Sequence, residues 1–133
     1  MEERRGALRR GLAALALAAP LASACACDLA GARRLDGSAV SLAYRTIPAP
    51  IPLGEHFALE IAVCPRGAAA APAAPRADAW MPEHRHGMNY RPDMRELDRG
   101  RYRSDGWLFH MPGRWEFVFE AAGERLTDRV DVE

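Results

Sequence analysis

The sequence predicts an all-β domain, an antiparallel sandwich of about seven short strands behind a leader removed on export. Three observations carry that expectation. Apolar and polar residues alternate with period two in several runs. Turn-forming residues separate those runs at the spacing of sandwich strands. No segment beyond the first 26 residues reads convincingly as a helix. An immunoglobulin-like β-sandwich is the natural architecture for this pattern, with an open sheet or small barrel as the alternative.

The leader comes first. Arg4, Arg5, Arg9 and Arg10 precede an apolar run from Gly11 to Leu21, built almost wholly of Ala and Leu. Small residues follow, Ala22-Ser23-Ala24-Cys25-Ala26-Cys27. A basic start, a short apolar centre and an Ala-x-Ala exit describe a secretory signal peptide over residues 1–26. The run is too short to remain as a membrane span. Ala22 to Cys25 also resembles a bacterial lipobox, which would put a diacylglyceryl group on Cys25, although Ala22 stands where such a box normally has Leu. Cleavage after Ala24 or Ala26 is the alternative. Either way the expected location is periplasmic or secreted, and membrane contact would come only through a lipid on Cys25.

The remaining chain, 27–133, is long enough for one domain. Val40, Leu42 and Tyr44 alternate with Ser41, Ala43 and Arg45, and Pro48, Pro50 and Pro52 then end the ladder. Phe57, Leu59, Ile61 and Val63 form the cleanest alternation. The Ala/Pro/Gly-rich stretch 65–76 reads as a flexible surface loop. Ala77 to Met81 starts a strand that runs into a histidine motif, and Asp93 to Leu97 is a short strand closed by an Asp98-Arg99-Gly100 turn. Arg101 to His110 follows, with Tyr102, Ser104, Gly106 and Leu108 assigned to one face. Pro112-Gly113 turns the chain into Trp115, Phe117 and Phe119. Gly123 turns it again into Leu126–Val132, with Val130 and Val132 inward.

Charge narrows the partners. The leader takes four of the 18 Arg and two of the 18 acidic residues, leaving 14 against 16, a formal charge of −2. That is no basic footprint, so nucleic acid is not expected. Cysteine usage fits export, since an oxidising compartment favours disulfides. If Cys25 carries lipid, Cys27 and Cys64 remain as a pair. A thiolate metal ligand at Cys64 is the other use.

The chemistry concentrates in two stretches, 80–90 (Trp-Met-Pro-Glu-His-Arg-His-Gly-Met-Asn-Tyr) and 107–115 (Trp-Leu-Phe-His-Met-Pro-Gly-Arg-Trp). They hold three of the four histidines, His84, His86 and His110, and three of the five methionines, Met81, Met88 and Met111. Imidazole and thioether together suit copper, because Cu(I) favours soft sulfur and both copper states accept imidazole nitrogen. On an extended strand His84, His86 and Met88 would share a face about 6.5–7 Å apart, with His110 or Met111 supplying a third ligand. Glu83 or Asp93 could add an oxygen. His56 stands apart and reads as a surface residue. The competing interpretation makes the histidines solvated and Met81 and Met111 core fillers.

Met-Pro-x-His-x-His-Gly-Met at Met81–Met88, Gly-x-Tyr at Gly100–Tyr102 and His-Met-Pro-Gly-x-Trp-Glu at His110–Glu116 resemble the YtkA-like and FixH-like exported bacterial domains over roughly residues 38–133. The resemblance implies an immunoglobulin-like sandwich of the bacterial envelope, and some such domains accompany metal efflux or copper-oxidase assembly systems. The His/Met composition also looks like small periplasmic copper carriers, by ligand type and without their spacings. A Cys-x-x-x-Cys pair of the thioredoxin-like copper chaperones is missing, which disfavours redox chemistry. No Gly-x-Ser-x-Gly elbow, phosphate loop or His-Glu-x-x-His helix is present, so an enzyme is not expected. The expectation is an exported copper-binding accessory or carrier protein, Cu(I) through methionine or Cu(II) through histidine. A module that docks an envelope partner without metal is the alternative.

Overall fold

The computed structural model describes residues 27–67 and 73–133. The expected signal peptide over residues 1–26, Cys25 within it and the middle of the Ala/Pro loop lie outside the described residues. The regular secondary structure of the described residues is all strand: β1 (Arg33–Asp36), β2 (Val40–Ile47), β3 (His56–Pro65), β4 (Arg76–Met81), β5 (His86–Gly87), β6 (Arg95–Asp98), β7 (Arg101–Leu108), β8 (Gly113–Ala121) and β9 (Glu124–Val132). Among the described residues no helix is long and apolar enough to cross a membrane.

Two antiparallel sheets face each other, one in the order β1-β2-β3-β7-β6 and the other β5-β4-β8-β9. Leaving β1 aside, that is the Greek-key order of an immunoglobulin sandwich: β2, β3, β7 and β6 stand as strands A, B, E and D, and β9, β8, β4 and β5 as G, F, C and C′. The period-two runs explain the core. Val40, Leu42 and Tyr44 of β2 and Leu59, Ile61 and Val63 of β3 meet Trp115, Phe117 and Phe119 of β8, all with negligible exposure. Aromatic rings do much of the filling: Tyr44 lies 5.3 Å from Phe117 and 4.9 Å from Phe119, and Phe109 stacks on Trp115 at 4.2 Å. Such pairs add stability beyond their buried area.

Among the described residues nine strands stand where about seven were expected. β1 is Arg-Arg-Leu-Asp and mostly exposed, so its alternation carries no apolar signal. It is held by pairing with β2 and by Arg33, which donates to the Asp128 carboxylate of β9. Tyr44 reaches the same carboxylate at 2.8 Å, tying the two sheets together. Burial pushes the Asp128 carboxyl up, but the hydrogen bonds from Arg33 and Tyr44 outweigh it and hold it below the usual range. β5 is two residues long, too short for any periodicity. β6 begins at Arg95 rather than at Asp93, because the Asp93 carboxylate accepts the Asp105 N–H at 2.8 Å and its own N–H donates to the Asp105 carbonyl at 3.0 Å.

The largest departure lies in β7. Tyr102 and Ser104 are inward as expected, but Gly106 and Leu108 are not; Trp107 and Phe109 are fully buried instead. The register explains this. Leu59 pairs with Ser104 and Phe57 with Trp107, so three steps of β7 oppose two of β3. Gly106, at φ 92°, sits in this bulge. One extra residue reverses which face each later side chain occupies. With Phe109 turned inward, His110 falls on the outside.

The segment after Cys27 covers the outer face of the first sheet, where Leu29 and Ala32 pack on Ala43 and Ala62. The expected Cys27–Cys64 disulfide is present, with Cα atoms 6.1 Å apart. Cys64 is therefore not a thiolate ligand.

Candidate functional site

Three connections meet at one end of the sandwich: the β2–β3 loop, the β4–β5 turn and the β7–β8 turn. All four histidines of the chain lie on them or at their borders.

The β4–β5 turn carries His84. The sequence places it on an extended strand, but β4 ends at Met81, whose carbonyl accepts the N–H groups of both His84 (3.2 Å) and Arg85 (2.9 Å). Arg85 takes a left-handed conformation at φ 55°, and Met81 then pairs with His86 across the hairpin. The i, i+2, i+4 geometry of a strand therefore does not apply to His84, His86 and Met88. The tight turn nevertheless keeps the His84 and His86 rings close, with centroids 5.8 Å apart. His86 is in turn 5.4 Å from His110, which lies on the β7–β8 turn.

The platform beneath is Trp115, which its place in the Trp115-Phe117-Phe119 alternation marks only as core. It is fully buried, and both His86 (6.0 Å, 71°) and His110 (5.7 Å, 77°) stand edge-on to it. Its indole N–H donates to the Met111 carbonyl at 3.0 Å, which fixes the backbone beside His110. Gly113 completes the turn at φ 124°, with the Met81 methyl 3.0 Å from where a Cβ would sit. The glycine and tryptophan of the His-Met-Pro-Gly-x-Trp motif thus shape the turn that presents His110.

The imidazoles differ in their tethers. His86 Nδ1 lies 3.1 Å from the Gly87 carbonyl, so the neutral ring donates from Nδ1 and leaves the Nε2 lone pair free. A metal-ligating histidine needs this arrangement. His84 and His110 are exposed, and among the described residues neither ring makes a hydrogen bond. His56 is also exposed but belongs to this end: its Nδ1 is 3.3 Å from the Trp107 carbonyl and its ring 5.5 Å from Tyr90. Sequence separation hid that placement, since only the β3–β7 pairing brings His56 opposite Leu108.

The methionines divide. Met81 is 1% exposed and belongs to the core. Met88 and Met111 are half-buried and pack against the same core. Of the oxygen candidates, Glu83 is exposed on the turn, whereas Asp93 is committed to the β7 backbone.

Spacing decides what the rings can do. A metal–nitrogen bond of about 2.0–2.1 Å, plus roughly 1.1 Å to the ring centre, puts two imidazoles sharing an ion about 4.5 Å apart at a right angle and about 6.3 Å apart when opposed. Both observed spacings, 5.8 and 5.4 Å, fall in that interval. His86 is the common member of the two pairs. As they stand, no three His, Cys, Asp or Glu side chains among the described residues are gathered tightly enough to hold an ion. Rotation of the exposed, untethered His84 and His110 rings about their side-chain bonds is the movement that would close the set.

Compared with family models, with curated proteins and with solved structures, the chain finds no match in any of the three. The site's chemistry therefore rests on its own geometry.

Proposed function

We propose that this protein is an exported copper-binding accessory or carrier of the bacterial envelope, non-catalytic, holding its ion at His84, His86 and one or more of Met88, His110 and Met111. One observation supports this above the rest. Two connections distant in sequence bring three imidazoles into a contiguous row at one exposed end of a rigid sandwich. The leader over residues 1–26 supports export, with Cys25 as the lipid attachment point if the lipobox is used. The likeness to YtkA-like and FixH-like domains is in keeping with the same location.

The test is thermal. A ligand that binds only the folded state stabilises it by RT ln(1 + [L]/Kd), about 2.7 kcal/mol at a hundredfold excess over Kd. Copper should raise the melting temperature of the wild type and not that of the His84→Ala/His86→Ala variant. Protons compete with metal for imidazole nitrogen, so the rise should shrink as pH falls from about 7.5 to 5. If copper gives the wild type no rise at any pH, this reading fails. Docking of an envelope partner through the same end then takes its place, a reading favoured by exposed Leu53 and Tyr90 on neighbouring connections.

A further inference from the structure

We infer that His110 is the third ligand and that the ion is divalent copper, with Met88 and Met111 serving the core rather than the metal. This rests on the copper reading above and narrows it to one ligand set and one oxidation state. Sequence alone left His110 and Met111 as equal alternatives, because adjacent residues of a strand face opposite ways.

The fold separates them. The bulge at Gly106 sends Phe109 inward onto Trp115, so His110 emerges on the rim. There its ring is 5.4 Å from His86, tilted by only 31°, and both rings lean on the same indole. Met111 has its carbonyl held by the Trp115 N–H and its side chain packed against the core. Met88 packs against that core as well. Drawing either thioether onto an ion would strip contacts from the apolar interior. Turning His84 strips none, and turning His110 disturbs only its edge contact with Trp115, since both rings are exposed and make no hydrogen bond. The donors at hand are thus three imidazole nitrogens. Nitrogen of this kind suits divalent ions, and among Ni(II), Cu(II) and Zn(II) it binds Cu(II) most tightly. Monovalent copper also accepts imidazole but favours the soft sulfur that the core retains.

Two titrations on the mature protein test this, Cu(II) in air and Cu(I) without oxygen, each against a competing chelator. His84→Ala, His86→Ala and His110→Ala should each lower Cu(II) affinity by at least roughly tenfold, the lower limit of what losing even an outer partner of a metal ligand causes. His110→Gln, which keeps a polar side chain of similar size, should lose as much if His110→Ala proves poorly folded. The Met88→Leu/Met111→Leu variant should hold Cu(II) within about threefold of wild type, since Met-to-Leu conserves core volume. The electron paramagnetic resonance spectrum should show coupling to nitrogen with no sulfur ligand. Loss of Cu(II) binding in the methionine variant equal to that in His110→Ala would overturn the inference. So would Cu(I) binding tighter than Cu(II) and lost with the methionines; either result leaves the copper reading standing. A wild type that binds neither ion brings down both.

Discussion

At the end of the sandwich where β1 turns into β2 and β8 into β9, side chains tie these two turns of the chain together. The Glu124 carboxylate accepts the N–H groups of Ser38 (2.7 Å), Ala39 (3.0 Å) and Val40 (3.2 Å) and the Ser38 hydroxyl. Arg66 donates to the Gly37 carbonyl, and the Cys27–Cys64 bridge closes beside it. At the opposite end the backbone is equally well shaped, by the Met81 turn and the Trp115–Met111 bond, yet among the described residues the rings of His84 and His110 make no hydrogen bond. One end uses its polar side chains to hold the fold, and the other leaves its most chemical side chains free. Groups left free on a rigid frame are those a ligand can recruit at little structural cost.

That contrast can be broken from either side. The largest effect should come from the bridge. It closes a loop of about 38 residues, worth about 4 kcal/mol in the chain-entropy model. Cys27→Ser/Cys64→Ala should lower the urea unfolding midpoint accordingly and leave copper affinity unchanged. Two free thiols titrated in the unreduced, unfolded protein would show that no bridge forms.

Next comes Gly113→Ala. At φ 124°, and with a Cβ 3.0 Å from the Met81 methyl, alanine is strained in both backbone and packing. We expect a loss of roughly 1–3 kcal/mol in denaturant unfolding. A loss below about 0.5 kcal/mol, the scale of an ordinary surface change, would mean that the histidine end is soft and that its rings are not presented by a rigid frame.

The Glu124 tether should show in the acid limb. Hydrogen bonds from the Ser38 hydroxyl, then from the Ala39, Ser38 and Val40 backbone, hold this carboxyl at about 2 against an ordinary 4.5. A depressed carboxyl stabilises the fold above its ordinary value and loses that contribution as pH falls. The wild type should therefore exceed Glu124→Gln in stability above pH 4.5, and the gap should close as pH approaches 2. A gap independent of pH would assign the tether to shape rather than charge.

The smallest effect on the metal-free fold should come from His84→Ala/His86→Ala. His84 is exposed, and the half-buried His86 gives up one backbone hydrogen bond and an edge contact with Trp115, so the loss should stay at about 1 kcal/mol. A metal-free melting temperature close to wild type, together with loss of the copper-induced rise, would make the two ends distinct in function as well as in structure. A large apo-state loss would mean that the rings support the turn.

The all-β class and the main core were legible in the sequence because both are written in local pattern. Phe57, Leu59 and Ile61, like Trp115, Phe117 and Phe119, alternate strictly, and a period of two can be satisfied only by a strand with one buried face. The Pro112-Gly113 turn announced itself by residue type, whereas the turn after Met81 did not and was expected as extended chain. β1 and β5 were not legible: four mostly charged residues and a His-Gly pair hold no period, and each is a strand only because a neighbour offers unpaired backbone. His56 was set aside because its nearest histidine in sequence is 28 positions away, a distance that β-pairing removes. Which of His110 and Met111 faces outward could not be read at all. It turns on a single extra residue at Gly106, and a bulge exists only relative to the strand it is paired with. Composition and alternation are properties of one segment, so the chain declares them alone. Register and the meeting of remote side chains are properties of two segments, and they come into being only when the sheets pair and pack.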